Sequence, residues 1–340
     1  MPVFSIVMPA YNVGKYIGEA IKSVLRQTFA DWELVIVDDG STDNTLELAQ
    51  YFSQQDNRIR CFTLPSNSGG CFIPRAEAVL KSTGHRIVNL DADDYLEDFY
   101  LEKIYNRIQE THVDAILGRM YCIKNDLVTD TIPKMDFDIG QVISGEQACM
   151  FTVPRWIIGL SGAIPKEIYV TAIQQHDAYK TLHAADEVLS RRLLLLCNNV
   201  AFVDAKYMYR YNENSVTHKF ALKLFDRIDT DRLLLTLLEE HFGKYSSEVQ
   251  VMHQQVFEGV LSCEVLYWKN RRVIDKKDRT QTIDRLRAGY SMINWGNCQG
   301  KVPPPPQLFL TISHLGFRTM MSAVAVYVCA KRFKRLFKHS

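Results

Sequence analysis

The sequence predicts an α/β fold: a mostly parallel central sheet with helices on both faces, followed by a C-terminal helical region. Three observations predict it. Short apolar runs alternate with helix-period segments through roughly the first 110 residues. Those runs are continuous in apolar character, as strands of a parallel sheet covered on both faces are. From about Phe220 onward the alternation stops and one helical pattern follows another.

Phe4-Ser5-Ile6-Val7-Met8-Pro9 reads as the first strand, stopped by proline. Lys15 to Gln27 then places Ile17, Ala20, Ile21, Val24 and Leu25 at helical spacing. Glu33 to Val37 is the second strand, and Ser41-Thr42-Asp43-Asn44 supplies capping residues for a helix running to about Ser53. Ile59 to Leu64 is the third strand, Pro65 to Gly70 a polar loop and Pro74 to Thr83 a helix ended near Gly84. Arg86 to Leu90 is the fourth strand, with a helix expected from near Leu96. Ala115 to Met120 reads as a further strand, Asp126 to Asp138 as loop and Gly145 to Phe151 as a short helix. Trp156 to Pro165 is apolar with two glycines and suits a segment near a site. Ala184 to Leu196 is a strong amphipathic helix, and Val200 to Tyr211 a strand pair rich in tyrosine. Pro303 to Pro306 marks a stiff linker into the last segment.

Composition narrows the function classes. The 340 residues are 47% hydrophobic, enough for a sizeable core. Lys and Arg number 40 against 39 Asp and Glu, so no global field favours nucleic acid. The eight cysteines form no CxxC pair and no zinc-type spacing with histidine. Most lie in apolar surroundings and read as buried free thiols of a reducing cytosol. A core strand begins within a few residues of Met1, which leaves no room for a signal peptide. No apolar run approaches the ~20 residues of a membrane-spanning helix.

Two aspartate clusters carry the chemistry: Asp38-Asp39-Gly40-Ser41-Thr42-Asp43 and Asp91-Ala92-Asp93-Asp94. Each lies at the downstream end of a predicted strand, where open α/β sheets bind their ligands. Carboxylates converging there repel one another unless a cation and a donor-rich ligand neutralise them. Mn2+ or Mg2+ suits such oxygen ligands. A sugar nucleotide supplies a ring N–H, ribose hydroxyls and a diphosphate. Asp38 also reads as a loop brace, and Asp94 as the cap of the helix near Leu96.

The strings Ser5-Ile6-Val7-Met8-Pro9-Ala10-Tyr11-Asn12, Val35-Ile36-Val37-Asp38-Asp39-Gly40-Ser41-Thr42-Asp43 and Leu90-Asp91-Ala92-Asp93-Asp94 resemble family 2 glycosyltransferases of the GT-A fold. The resemblance is close over residues 4–100 and weaker to about 220. It implies a nucleotide-sugar site formed by Pro9, Ala10, Tyr11, Asp39, Arg75, Asp91, Ala92 and Asp93. Tyr11 would stack against or edge the nucleobase, and Asp39 would accept its ring N–H, which favours uracil. Asp91 would reach ribose or the metal through water, while Asp93 would ligate the metal directly. Asp186, at the start of a predicted helix, would be the base that deprotonates an acceptor hydroxyl. The family usually has a glutamate before it, where this chain has Ala185. The alternative for Asp186 and Glu187 is that of first-turn acids favoured by the helix dipole. Arg75 aligns with a family arginine that reaches the base or a phosphate, although Ala76 replaces the usual asparagine after it. Arg210 and His218 are candidates for the diphosphate, and Trp156 for the acceptor.

The resemblance divides the chain into a nucleotide-sugar half (1–112), an acceptor half (113–220), a helical extension (221–302) and a Pro-rich linker with a basic amphipathic helix (303–340). The implied reaction is an inverting, metal-dependent transfer from a nucleotide sugar, with a UDP-sugar as the expected donor, to a hydroxyl of a glycan or glycolipid in surface polysaccharide synthesis. Lys331-Arg332-Phe333-Lys334-Arg335-Leu336-Phe337-Lys338 points to a membrane surface, which implies a cytoplasmic protein held peripherally on the cytoplasmic face of the inner membrane. Two rivals stand beside this reading. A sugar nucleotidyltransferase usually has a Gly/Arg/Lys-rich loop after its first strand, where this chain has Pro9-Ala10-Tyr11-Asn12. A non-catalytic scaffold is favoured only by the missing glutamate.

Overall fold

The computed structural model describes residues 1–124, 127–130, 140–153, 161–174, 185–211, 220–294 and 316–336, with side chains of the last segment described through 329. In chain order, β1 (Phe4–Ala10), α1 (Ile17–Leu25), β2 (Trp32–Asp38), α2 (Thr45–Gln55), β3 (Ile59–Thr63), α3 (Phe72–Lys81) and β4 (Arg86–Asn89) form the alternating half. Then come β5 (Tyr95–Leu96), α4 (Tyr100–Thr111), β6 (Ala115–Lys124), β7 (Leu127–Asp130), β8 (Val142–Ser144) and α5 (Gly145–Phe151). The sheet region closes with β9 (Gly162–Pro165), α6 (Lys166–Gln174), α7 (Ala185–Leu196) and β10 (Asn199–Arg210).

The sheet runs β3-β2-β1-β4-β9-β6-β10-β5. The first four strands are mutually parallel, with Phe4 opposite Trp32 and Ala10 opposite Asp38 in the β1–β2 register. Every residue of β1 and β2 is buried, as expected of strands covered on both faces. Because β2 and β3 extend to one side of β1 and β4 lies on the other, the strand order reverses beside β1. The carboxyl ends of β1, β2 and β4 therefore flank a switch point, the usual ligand position in such sheets.

At the opposite strand ends, Ser5 and Glu33 are tied together. The Glu33 carboxylate accepts from Ser5 Oγ at 2.6 Å and from the Gly84 N–H at 3.1 Å. A Cβ on Gly84 would meet Ser5 Oγ at 2.6 Å, so this close approach requires glycine.

Four expectations are corrected. Asp94 caps no helix: Tyr95 and Leu96 pair with Met208 and Tyr207 as β5, and α4 begins four residues later with Phe99 at its cap. Val200 to Tyr211 contains no strand pair. It is the single strand β10, parallel to β6, and an irregularity between Phe202 and Lys206 shifts its register without reversing the chain. Within the expected loop at Asp126 to Asp138, Leu127–Asp130 instead pairs antiparallel with β6, while 131–138 lie outside the described residues. Of the described cysteines, all free, only Cys149, Cys197 and Cys263 are buried: Cys61 and Cys122 are half-buried, and Cys71 and Cys329 fall at exposed positions. The proline run 303–306 lies outside the described residues.

The chain divides into two compact units, one carrying the sheet and the other the helices that follow it. The second unit comprises α8 (Asp226–Phe242), α9 (Ser247–Asn270), α10 (Lys276–Met292) and α11 (Phe317–Leu336). Phe225, Ile228, Cys263, Tyr267, Ile274, Leu286 and Met321 cluster in its core. Among the described residues no helix is long and apolar enough to cross a membrane.

Glu264 on α9 is fully buried in this unit, and among the described residues neither carboxyl oxygen has a hydrogen-bond partner. Burial pushes its carboxyl up to about 8. The folded form therefore holds a proton that the unfolded form releases near pH 4.5. Stability from this group is present at low pH and is lost as pH rises toward 8. Glu264→Gln is expected to raise the melting temperature more at pH 8 than at pH 5, and calorimetric scans at the two pH values check it.

Candidate active site

The loops after β1 and β2 hold each other in place. Asn12 adopts a left-handed φ of 51°, which asparagine tolerates better than most residues. Its Oδ1 accepts from the Thr42 N–H at 2.8 Å, and its own N–H donates to Ser41 Oγ at 3.0 Å. Asp43 Oδ2 accepts from the Gly14 N–H at 3.0 Å. Asp38 is a brace: its Oδ2 accepts from the N–H groups of Gly40 and Ser41 and from Thr63 Oγ1, each at 3.1 Å.

Asp39 sits in a polar cradle made by the loop after β3. Oδ1 accepts from the Ser68 N–H at 2.9 Å, and Oδ2 from Asn67 Nδ2 and Ser68 Oγ at 3.0 Å each. Burial raises its carboxyl, the Ser68 bonds counter that, and Asp38 raises it further. A carboxylate oxygen has two acceptor sites, so Oδ1 keeps one for a further N–H. Pro9 and Ala10 are buried in β1, and the Ala10 carbonyl accepts from the Asp39 N–H at 2.8 Å. Tyr11 beside them is 45% exposed, leaving its ring available to a planar partner.

The second cluster alternates. Asp91 and Asp93 are partly exposed, whereas Ala92 packs in the core and Asp94 is buried. The Asp94 carboxylate explains why this loop holds its shape. Oδ2 accepts from the Tyr207 hydroxyl at 2.8 Å and Oδ1 from the Arg210 N–H at 2.8 Å. Tyr207 in turn accepts from the Asp91 N–H at 3.0 Å. Burial, then the charge of Asp91, pushes the Asp93 carboxyl up to about 6.

Arg75 on α3 is buried and reaches the same loop. Its Nη2 donates to Asp91 Oδ1 at 2.7 Å, and its Nη1 to Cys71 Sγ at 3.5 Å. The guanidinium expected at a base or phosphate is thus engaged with a carboxylate, the usual requirement for a buried cation. Asp186, in the first turn of α7, lies within the same field. Burial raises its carboxyl, Arg75 lowers it, and Glu187 and Asp91 raise it again. Ala185 is buried, and Glu187 pairs with the buried Arg191 at 3.4 Å. The sequence elements around residues 39, 75, 91 and 186 therefore meet at one end of one sheet.

The family model described as Glycosyl transferase family 2 matches residues 5–161, the stretch that supplies Asp39, Arg75, Asp91 and Asp93 but not Asp186. Glycosyltransferase GlyG of Streptococcus pneumoniae is 27% identical over 232 residues, covering 63% of this chain and 72% of that protein. The protein carries a family 2 glycosyltransferase domain. Poly(ribitol-phosphate) beta-N-acetylglucosaminyltransferase TarS of Staphylococcus aureus is 30% identical over 226 residues, covering 64% of this chain but 37% of that protein. This chain thus spans little more than a third of TarS. The crystal structure of S. aureus TarS 1-349 in complex with UDP-GlcNAc superimposes with a TM-score of 0.70 at 18% identity, covering 97% of this chain and 92% of that one. The GT-A fold expected from the sequence is present.

Arg210 ends β10 beside the acidic loop. Its Nη2 pairs with Glu19 Oε2 at 2.7 Å, and its guanidinium lies 5.1 Å from the Tyr16 ring centroid and 5.4 Å from that of Tyr95. Its charge also lowers the Asp93 carboxyl, against burial. Trp156 and His218 lie outside the described residues.

Among the described residues, no three His, Cys, Asp or Glu side chains assemble into a metal site. The donor set nevertheless fits a cation that arrives with its nucleotide. Magnesium-type ions commonly take one or two carboxylates and complete their shell with substrate phosphate and water. Asp91 and Asp93 would be the two carboxylates, and Asp91 is 46% exposed at its side chain.

Sequence reasoning missed Tyr207, Glu19 and Cys71. Only the excess of tyrosines in β10 hinted at the first, because its partners lie more than a hundred residues away. Tyr207→Phe removes a donor from a buried carboxylate and an acceptor from the Asp91 N–H. It is expected to cost about 2 kcal/mol of stability and to weaken nucleotide binding, as chemical denaturation and a UDP titration would show.

Proposed function

We propose that the enzyme is an inverting, metal-dependent glycosyltransferase that moves a sugar from a UDP-sugar to a hydroxyl of a glycan or lipid-linked glycan in surface polysaccharide synthesis. The meeting of Asp39, Asp91, Asp93 and Asp186 at the switch point of the sheet carries this reading. The UDP-GlcNAc complex of a protein with the same fold supports the choice of donor, and UDP-GlcNAc is the first to test.

Asp39 accepts the ring N–H of the base, and Tyr11 covers its face. Asp91 and Asp93 hold the divalent ion, Mn2+ or Mg2+, that accompanies the diphosphate. When bound, that ion offsets charge developing on the departing diphosphate. Arg75 keeps Asp91 in position, and Arg210 stands at the diphosphate side of the loop. Asp186 takes the proton of the acceptor hydroxyl as its oxygen attacks the anomeric carbon from the face opposite the leaving group. Its raised carboxyl makes a stronger base than a solvent-exposed aspartate, while Arg75 favours the ionised form. Trp156 keeps the acceptor role, for which an aromatic face suits sugar C–H groups, and His218 the diphosphate role that the family resemblance implies.

The basic, aromatic segment from Lys331 to Lys338 supports peripheral attachment to an anionic membrane, on the cytoplasmic face if the acceptor is lipid-linked. The test of the activity is UDP release from a panel of UDP-sugars with manganese, with and without glycan acceptors. Acceptor-stimulated release from one of them is expected. Turnover of GDP- or CDP-sugars alone would move the donor assignment.

A further inference from the structure

The second unit carries a feature that the transfer reaction does not use. The turn joining α9 to α10, with its flanks, holds six basic residues against two acidic ones between positions 269 and 279, in a chain whose net charge is +1. Lys269, Arg271, Arg272, Lys276 and Lys277 are all exposed. Among the described residues, Arg271, Arg272, Lys276 and Lys277 form no ion pair. A carboxylate partner would be the ordinary way to quiet such a cluster, as Asp226 and Asp229 do for Arg285 further along α10.

At the centre of the cluster stands Val273, 72% exposed. Its neighbour Ile274 is buried in the core of the unit and fixes the turn. The Arg279 Nε also donates to the Ile274 carbonyl at 2.8 Å, so α10 is tied back onto the turn. The Val273 side chain is therefore exposed on a turn tied to the core, flanked in sequence by Arg271-Arg272 and Lys276-Lys277. Helix α9 is anchored at its other end by Ser246, whose Oγ accepts from the Val249 N–H at 3.2 Å.

We infer that the α9–α10 turn is a second membrane-contact element, which seats on anionic lipid headgroups with Val273 entering the interface. This rests on the reading that the enzyme works at an anionic membrane, and adds a contact separate from the C-terminal segment. The cations match the charge of the surface, each contributing on the order of 1 kcal/mol when close to it. The exposed valine decides between lipid and a soluble polyanion, since only the lipid interface offers an apolar phase to bury it.

The test is co-flotation of the full chain with vesicles of phosphatidylglycerol and phosphatidylcholine, and with vesicles of phosphatidylcholine alone. Wild type is compared with three variants: Arg271→Ser/Arg272→Ser/Lys276→Ser/Lys277→Ser, Val273→Ser, and the tail variant Lys331→Ser/Arg332→Ser/Lys334→Ser/Arg335→Ser. All substituted turn positions are exposed, and unchanged melting temperatures verify the folds. The expected result is binding to the anionic vesicles only. The fourfold turn variant should weaken it at least tenfold and Val273→Ser should weaken it severalfold, while the tail variant keeps a turn-dependent share.

Unchanged vesicle binding in the fourfold turn variant, with loss in the tail variant, would overturn the turn while leaving membrane attachment intact. Absence of vesicle binding by wild type would overturn both. Equal binding of wild type and Val273→Ser, together with charge-dependent binding to soluble polyphosphate, would replace the lipid surface by an anionic polymer.

Discussion

Asp186→Asn is expected to lower sugar transfer by about 10²- to 10⁴-fold, the range that a positioned general base contributes, with UDP-sugar affinity nearly unchanged. Asparagine keeps the size of the side chain and removes its capacity to take a proton. The first turn of α7 should tolerate it, since the Asp186 carboxylate accepts from its own N–H and an asparagine carbonyl oxygen can accept the same bond. The kinetic signature is a fall in kcat with KM for the donor preserved. Ala185 sharpens the case. Where the family resemblance leads one to expect a glutamate, this chain has the buried methyl of Ala185, so the proton-accepting role is tested at Asp186 alone. Equal transfer rates in wild type and Asp186→Asn would instead assign Asp186 and Glu187 to the helix dipole alone.

Asp93→Ala is expected to remove the manganese dependence of UDP binding. The Asp93 carboxyl stands at about 6 because it is partly desolvated beside Asp91, an arrangement that becomes favourable once a cation is shared between the two. Protons and metal compete for it. In wild type, manganese-assisted UDP binding should be full above pH 7 and weaken as pH falls through 6, approaching tenfold per pH unit. The alanine variant should lose both the metal effect and this pH dependence. Asp94→Asn serves as the contrast. It leaves both ligand-facing carboxylates in place and weakens the bond from Tyr207, so its first effect should be on stability.

How much of this was legible in the sequence follows from the range of each interaction. Strands β1, β2, β3 and β4 are local apolar runs and were readable within a residue or two of their ends. The aspartates at their carboxyl ends were readable for the same reason, since strand end and acidic motif are adjacent in the chain. Strand β9 has only four residues and β5 two, so neither shows a period, and both are set by partners far away. Gly162, in β9, takes a φ of +139° close against the Ile116 carbonyl, a requirement visible only once β6 and β9 are paired. Asp94 looked like a helix cap because capping residues are recognised by local position. Its partners, Tyr207 and the Arg210 N–H, are more than a hundred residues downstream. Arg75 was legible as a site residue through the family resemblance, but its bond to Asp91 was not. Asp38 and Asp39 show the same limit: adjacent identical residues, one bracing its own loop and the other held in the cradle of Asn67 and Ser68.

The most direct test of the central claim is a calorimetric titration of UDP into the full chain, with and without manganese. Binding that is at least tenfold tighter with manganese is predicted, because Asp91 and Asp93 can share the cation with the diphosphate. Failure of UDP to bind under either condition, while GDP or CDP binds, would contradict the assignment of Asp39 as a uracil acceptor. Failure of all three would contradict a nucleotide site at the switch point of the sheet.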